Sequence, residues 1–182
     1  MASSRGPRPP SVIRNTVYLW GITFSRNPQY IQHAPKYLNR ALRSLHVALS
    51  ACSTPQQQGQ QEGNAIDVLQ ASILLATYFF HHDRLEEGKF HASAAVSLAH
   101  TCNLHKLFMP TGTAGSTALV YLPRASDITQ ECERIHAWWT VFVLDKSWVA
   151  AHNSPSMINE GQERGSVVDT PWPISMALYR QV

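Results

Sequence analysis

The stretch Glu131–Ile158 constrains the fold more than any other part of the chain. Large apolar side chains recur there at helical spacing, at Ile135, Trp138, Trp139, Phe142, Val143 and Val149. One acid, Asp145, lies inside the apolar run, and the Ser154-Pro155 pair predicts that the helix ends near His152. Because a helix with this much apolar surface needs packing partners, the stretch predicts a sizeable core.

Further segments have the apolar periodicity of helices, and no convincing strand-like alternation interrupts them. The segment 65–82 is apolar on most faces and is predicted to be central. Small residues in the next segment allow close approach, so these two helices are predicted to form an antiparallel hairpin. The predicted fold class is all-α, an irregular bundle of antiparallel helical hairpins, with helices over 12–24, 34–52, 65–82, 85–102 and the Trp-containing stretch.

Turn and capping residues predict the boundaries of the domain. Residues 1–11 read as a flexible leader, and 12–182 as one helical domain with loops near 53–63 and 109–126. Asn64 and Asp127 (or Thr129) are candidate N-caps, and Asn103 is a candidate left-handed C-cap. A helix beginning near Ile174 is expected to be cut short, so the bundle is predicted to be incomplete at its C-terminus.

Charge and composition restrict the classes of partner. Charged residues make up 15% of the 182, against roughly 25% in typical soluble domains. This low charge suggests that a neighbouring segment or a partner covers part of the surface, although a neutral surface rich in Ser, Thr, Gln and His explains it equally well. The formal net charge is +3 without a basic stripe, so we expect no direct nucleic-acid binding by this chain alone.

The three cysteines, Cys52, Cys102 and Cys132, are dispersed, which favours buried thiols in a reducing compartment. The first residues lack the apolar segment of a secretory signal, and the longest apolar run, 71–80, is shorter than the about 20 residues that span a bilayer. We therefore expect a soluble intracellular chain with no membrane association.

Some residue patterns are compatible with metal binding or catalysis, but each has a plainer structural interpretation. The pairs Cys102/His105 and Cys132/His136 have a stoichiometry that zinc accepts, but not the compact cysteine spacing of closed zinc sites. The run 81–83, His-His-Asp, is explained by the favourable position of histidine near a helix C-terminus. Nucleophile and phosphate-loop motifs are absent from the sequence, and GTAGST at 112–117 lacks the following lysine. No metal, cofactor or enzymatic activity is predicted.

The Trp-containing stretch also resembles a known family pattern, "R-x-x-x-W-W-x-x-F-x-L-D-[RK]". The pattern is typical of the regulatory middle region, the fungal-specific transcription factor domain, of fungal zinc-cluster transcription factors. The matching residues here are Arg134, Trp138, Trp139, Phe142, Leu144, Asp145 and Lys146.

Two other segments resemble the same family. Residues 68–107 are similar to its helical hairpin, with Ala95, Leu98, Ala99, Leu104, His105 and Lys106 at matching positions and Asn103 in place of the usual glycine. Residues 168–173, VDTPWP, resemble the tail "I-D-T-P-[WLF]-P" of many members. Of the family's "G-R-P" after the Trp helix, this chain keeps only Pro155.

The resemblance implies a nuclear regulatory domain that modulates RNA polymerase II transcription, with the rest of a transcription-factor chain or other regulatory proteins as partners and a small-molecule effector as an option. The zinc cluster that binds DNA in this family needs six closely spaced cysteines, which this chain lacks, so zinc and DNA binding are implied for a separate module only. We expect Arg134, Trp138, Trp139, Phe142, Asp145 and Lys146 to form the framework or the wall of a pocket. Two alternatives remain open, a tetratricopeptide-like protein-interaction scaffold and a helical enzyme.

Overall fold

Helices are the only regular secondary structure in the part of the chain that the computed structural model describes, so the all-α prediction is confirmed. The described residues are 9–52, 61–107, 122, 125–158 and 168–174, with only the backbone described for 61–64. The helices are α1 (Ser11–Phe24), α2 (Pro28–Ile31), α3 (Ala34–Cys52), α4 (Gln61–His81), α5 (Leu85–Thr101) and α6 (Ile128–His152), with a 3₁₀ turn (Leu104–Lys106) after α5.

Helix α4 is central, as predicted, because it contributes to both apolar clusters formed by the described residues. Its Val68, Leu75 and Phe79 pack against α1 and α3, around Leu19 and Leu45. Other residues of the same helix pack against α5, α6 and the 3₁₀ turn, in a cluster that contains Leu69, Ile73, Ala95, Ala99, Leu104, Trp138, Val141 and Ile158. The second cluster is the one that positions the candidate residues of α6.

Two boundaries differ from the prediction. Helix α4 begins at Gln61, so the last part of the predicted loop 53–63 is helical and Asn64 lies within the helix instead of capping it. Glutamine and glutamate are good helix formers, so the polar composition that suggested a loop did not oppose a helix. The short helix α2 was not predicted; Asn27 caps it by accepting a hydrogen bond from the Gln29 N–H at 2.9 Å. Residues 53–60 and most of 109–126 lie outside the described part.

Other predicted boundaries are confirmed. Asp127 caps α6 by accepting a hydrogen bond from the Gln130 N–H at 2.8 Å. Asn103 ends the hairpin in the left-handed conformation, with φ of 53°, and Asn153 ends α6 with φ of 48°. Asparagine tolerates this conformation better than most residues, which explains its use at both helix ends.

A close contact joins the hairpin to α6. The ring of Phe80 lies so close to Gly88 that an added Cβ would overlap two ring carbons. The same ring stacks on Trp148 of α6, with ring centroids 4.6 Å apart. Gly88 therefore allows α5 to approach α4 closely enough for Phe80 to reach α6.

We predict that Gly88→Ala lowers the free energy of unfolding by about 1–3 kcal/mol, because the new methyl group forces Phe80 out of its position. Urea denaturation followed by circular dichroism measures the change. The matched control is Gly21→Ala in α1, where nothing lies within 4 Å of the added Cβ. This control should stabilise the chain by about 0.5–1 kcal/mol through helix propensity. Equal changes in the free energy of unfolding for the two substitutions would contradict the close packing of Phe80 on Gly88.

Candidate functional site at the junction of three motifs

Trp138 of α6 is the centre of the second apolar cluster. Its side chain is fully buried, at 0% exposure. The ring lies 5.5 Å from His100 at the end of α5 and 5.7 Å from His105 in the 3₁₀ turn, measured between ring centroids. Trp138 therefore joins the end of the hairpin motif to the Trp-helix motif.

The indole N–H of Trp138 has no hydrogen-bond partner among the described residues. A buried donor without a partner costs about 1–3 kcal/mol. The apolar and aromatic contacts of the ring offset this cost.

Trp139 has a different role, because it contacts a segment that is neither helix nor strand, residues 168–174, which we call the strap. The indole N–H of Trp139 donates to the carbonyl oxygen of Pro171 at 2.5 Å. Its ring stacks on Trp172 with centroids 4.0 Å apart and planes 14° apart. One turn earlier, Nε2 of His136 lies 3.1 Å from the carbonyl oxygen of Ile174 and must donate, since a carbonyl only accepts.

The strap also contacts the 3₁₀ turn. The Asp169 N–H donates to the carbonyl oxygen of His105 at 2.7 Å, and the buried Thr170 hydroxyl donates to that of Leu104 at 2.5 Å. The three motifs that are separate in the sequence, the hairpin end, the Trp helix and VDTPWP, therefore meet at one junction.

The buried carboxylate of Asp145 holds a second segment that returns to α6. Its Oδ1 accepts from the Met157 N–H at 3.0 Å, and its Oδ2 accepts from the Ile158 N–H at 3.3 Å. The Ser156 hydroxyl donates to Oδ2 as well, at 2.5 Å. Asp145 thus pairs with two backbone donors and one hydroxyl of the loop that follows α6.

Lys146 supports the same segment. Its Nζ donates to Ser156 Oγ at 2.8 Å and lies 3.4 Å from the carbonyl oxygen of Ile158. The Nζ is 3.8 Å from Asp145 Oδ2, so the two charges attract without a short hydrogen bond. Together the two residues seat Ile158, which is only 2% exposed, in the second apolar cluster.

Arg134 and Phe142 complete the set of candidate residues. Arg134 is buried, at 6% exposure, and burial lowers the pKa of its guanidinium. Phe142 is half-buried between the edge of Trp139, at 5.4 Å, and the ammonium of Lys146, at 5.1 Å from the ring centroid. The set is therefore continuous along one helix, with Trp138 and Asp145 inward and Trp139 towards the strap.

The groups weighed as metal ligands have other roles in the structure. Burial, and secondarily Cys52, raises the pKa of Cys102 to about 12. His136 contacts the strap. Within the described ranges, no three His, Cys, Asp or Glu side chains are grouped closely enough to hold a metal ion.

His81 and His82, the histidines of the His-His-Asp run, are exposed and pack on aromatic rings. His81 lies 6.1 Å from Trp20, and His82 lies 4.4 Å from Tyr78, between ring centroids. Burial is the largest cause that lowers the pKa of His82, followed by the neighbouring His81. These contacts fit structural packing at the end of α4.

Asp67 of α4 was not singled out from the sequence. Partial burial, and secondarily the carboxylate of Glu133 on α6, raises its pKa from the usual value near 3.8 to about 6. It stands between the buried Ile66 and Val68. An acid between two apolar neighbours in a mostly apolar helix was the signal that could have identified it.

A surface groove of about 550 Å³ lies beside α1, lined by Pro9, Ile13, Arg14, Val17 and Tyr18. None of the α6 candidate residues lines this groove. The role of these residues as framework or as pocket wall therefore stays a prediction.

The family model of the fungal specific transcription factor domain matches residues 2–162, a range that includes the six α-helices of the described part. The chain belongs to this family. The fungal specific transcription factor domain is a regulatory domain of transcription factors and not a known class of enzyme. No curated protein and no solved structure gives a significant match. Within the described part of this domain, no helix combines the length and hydropathy needed to cross a membrane. The strap lies outside the matched region.

We predict that Asp145→Asn destabilises the domain by about 2–3 kcal/mol, because the amide loses the charge that three donors share and turns an N–H₂ group towards one of them. Thermal and urea denaturation measure the loss. The matched control is Asp127→Asn on the same helix, where asparagine caps as well as aspartate, so the cost should be at most about 0.5–1 kcal/mol. Similar losses for the two variants would contradict the anchoring role of Asp145.

Asp67 makes stability depend on pH. Its pKa is higher in the folded chain than in the unfolded chain, so the folded state binds more protons between about pH 4 and pH 6 and stability falls as the pH rises through this window. Because the site is half exposed, we expect a loss of about 1 kcal/mol. Asp67→Asn should remove this loss, and Glu133→Gln should reduce it.

Urea denaturation at pH values of roughly 4.5, 5.5, 6.5 and 7.5 covers the titration of Asp67 and tests the predicted pH dependence of stability. The stability difference between Asp67→Asn and the unaltered chain should grow with pH. A constant difference over this range would contradict the raised pKa.

Proposed function

We propose that this domain modulates RNA polymerase II transcription through a helical surface that responds to a regulatory partner. The observation that carries the proposal is the junction on α6, where the hairpin end, the Trp helix and the strap meet through Trp138, Trp139 and His105. Family membership supports the regulatory role in general.

The mechanism is steric or allosteric. A partner that displaces or tightens the hairpin end or the strap changes the packing of the other element, since both contact α6 and each other. The partner is the rest of a transcription-factor chain or another regulatory protein, and a small-molecule effector would act at the same junction. The mechanism uses no metal or cofactor in this domain, takes place in the nucleus and leaves DNA binding to a separate module.

The polar groups at the junction support this mechanism over catalysis. The Asp145 carboxylate is used by the three donors of residues 156–158, and His136 and the Trp139 N–H contact carbonyl oxygens of the strap. A catalytic site would instead direct several such groups into a common cavity.

A tethered reporter tests the proposal. The full chain is placed between a heterologous DNA-binding module and an activation segment in a fungal reporter strain. We expect reporter output to differ several-fold from that of the same fusion without the chain. Asp145→Asn should abolish this difference, because it releases residues 156–158 from α6, whereas Asp127→Asn should preserve it.

Immunoblotting must show equal fusion levels, so that loss of protein is not read as loss of regulation. Equal output from the fusion with the chain, the fusion without it and the Asp145→Asn fusion would contradict the proposal.

A further inference from the structure

The strap is held mainly through its main chain. Its carbonyl groups at Pro171 and Ile174 face Trp139 and His136, and its N–H at Asp169 pairs with the 3₁₀ turn. Contacts of this kind recognise the extended form of a peptide more than the identity of its side chains. Thr170 is the exception, since its buried hydroxyl bonds to the carbonyl oxygen of Leu104.

The sequence of the strap favours this extended form before it docks. Pro171 and Pro173 have fixed φ angles, and each proline also restricts the residue before it, here Thr170 and Trp172, to extended conformations. A segment ordered in advance loses little entropy on binding. Proline-rich peptides bind aromatic grooves for the same reason.

The groove supplies the matching chemistry. The indole N–H of Trp139 donates to the carbonyl oxygen of Pro171, and the Trp139 ring stacks on the next side chain, Trp172. These two contacts fit a Pro-aromatic-Pro peptide. Yet Trp172 remains 73% exposed and Ile174 47% exposed, so the strap buries little apolar surface of its own beyond Val168 and Thr170. Little buried area means that a similar peptide can compete with it.

We propose that the α6 face formed by His136 and Trp139, together with the carbonyl groups of Leu104 and His105, is a recognition groove for an extended Thr-Pro-aromatic-Pro peptide of another protein, which the strap occupies in cis. A strap tethered to its own groove has an effective concentration of the order of millimolar. The groove is thus masked until the strap is displaced or a stronger peptide arrives.

Peptide binding to the full chain tests the groove directly. The probe is a labelled, end-capped peptide with the sequence of residues 168–174, VDTPWPI, followed by fluorescence anisotropy. Trp172→Ala in the chain weakens its own strap by removing the stack, so this variant should bind the probe about 3- to 10-fold more tightly than the unaltered chain. Adding Trp139→Phe should reverse the gain, because phenylalanine lacks the N–H.

The matched control peptide has alanine in place of both prolines and the tryptophan, and should bind at least about tenfold more weakly. Circular dichroism melts establish that each variant is folded, and Thr170→Val replaces Trp172→Ala as the strap-weakening variant if the latter does not fold. The proposed groove would be contradicted if the folded strap-weakened chain bound the probe peptide with the same affinity as the unaltered chain. Equal affinity of the chain for the probe and the control peptide would contradict it as well.

Self-association of the unaltered chain through its strap would assign the groove to a second copy and overturn the partner-peptide assignment. The binding assay does not read transcription. The peptide-binding prediction can therefore be wrong while the proposed regulatory function is right. The regulatory function can likewise be wrong while the peptide binds.

Discussion

The burial of one face of α6 is the constraint on which the rest of the described structure depends. Trp138 and Val141 are completely buried, and they reach this state only because the end of α5, the 3₁₀ turn and α4 cover the same face. Large rings dominate the energetics of such a core because each removes about 150–250 Å² from water. The packing of this face therefore fixes how the end of α5, the 3₁₀ turn and α4 meet.

Polar contacts on α6 add specificity to this apolar packing. Asp145 holds the loop that follows the helix, and Trp139 and His136 hold the strap further along the sequence. A buried carboxylate is tolerated because backbone donors satisfy it. Helix α6 thus contacts three separate segments, which are the end of the hairpin, the loop after α6 and the strap. These shared contacts are the physical basis of the proposed regulatory coupling.

Local patterns in the sequence predicted most of the helices in the described part of the chain. The cap at Asp127 and the left-handed Asn103 followed from local chemistry that needs no tertiary information. The start of α4 at Gln61 was missed because polar composition reports exposure and not backbone conformation. The packing of Phe80 on Gly88 depends on tertiary geometry, as does the convergence of Trp139 with Trp172 over a separation of 33 residues in sequence.

Native-state amide hydrogen exchange tests the organising role of α6 most directly. The N–H groups of Met157 and Ile158, which donate to Asp145, should exchange as slowly as the buried part of α6, because they open only when the helix core opens. The Asp169 N–H should exchange faster than these two but more slowly than an unstructured amide. Exchange of Met157 and Ile158 at unstructured rates, while α6 stays protected, would contradict the account.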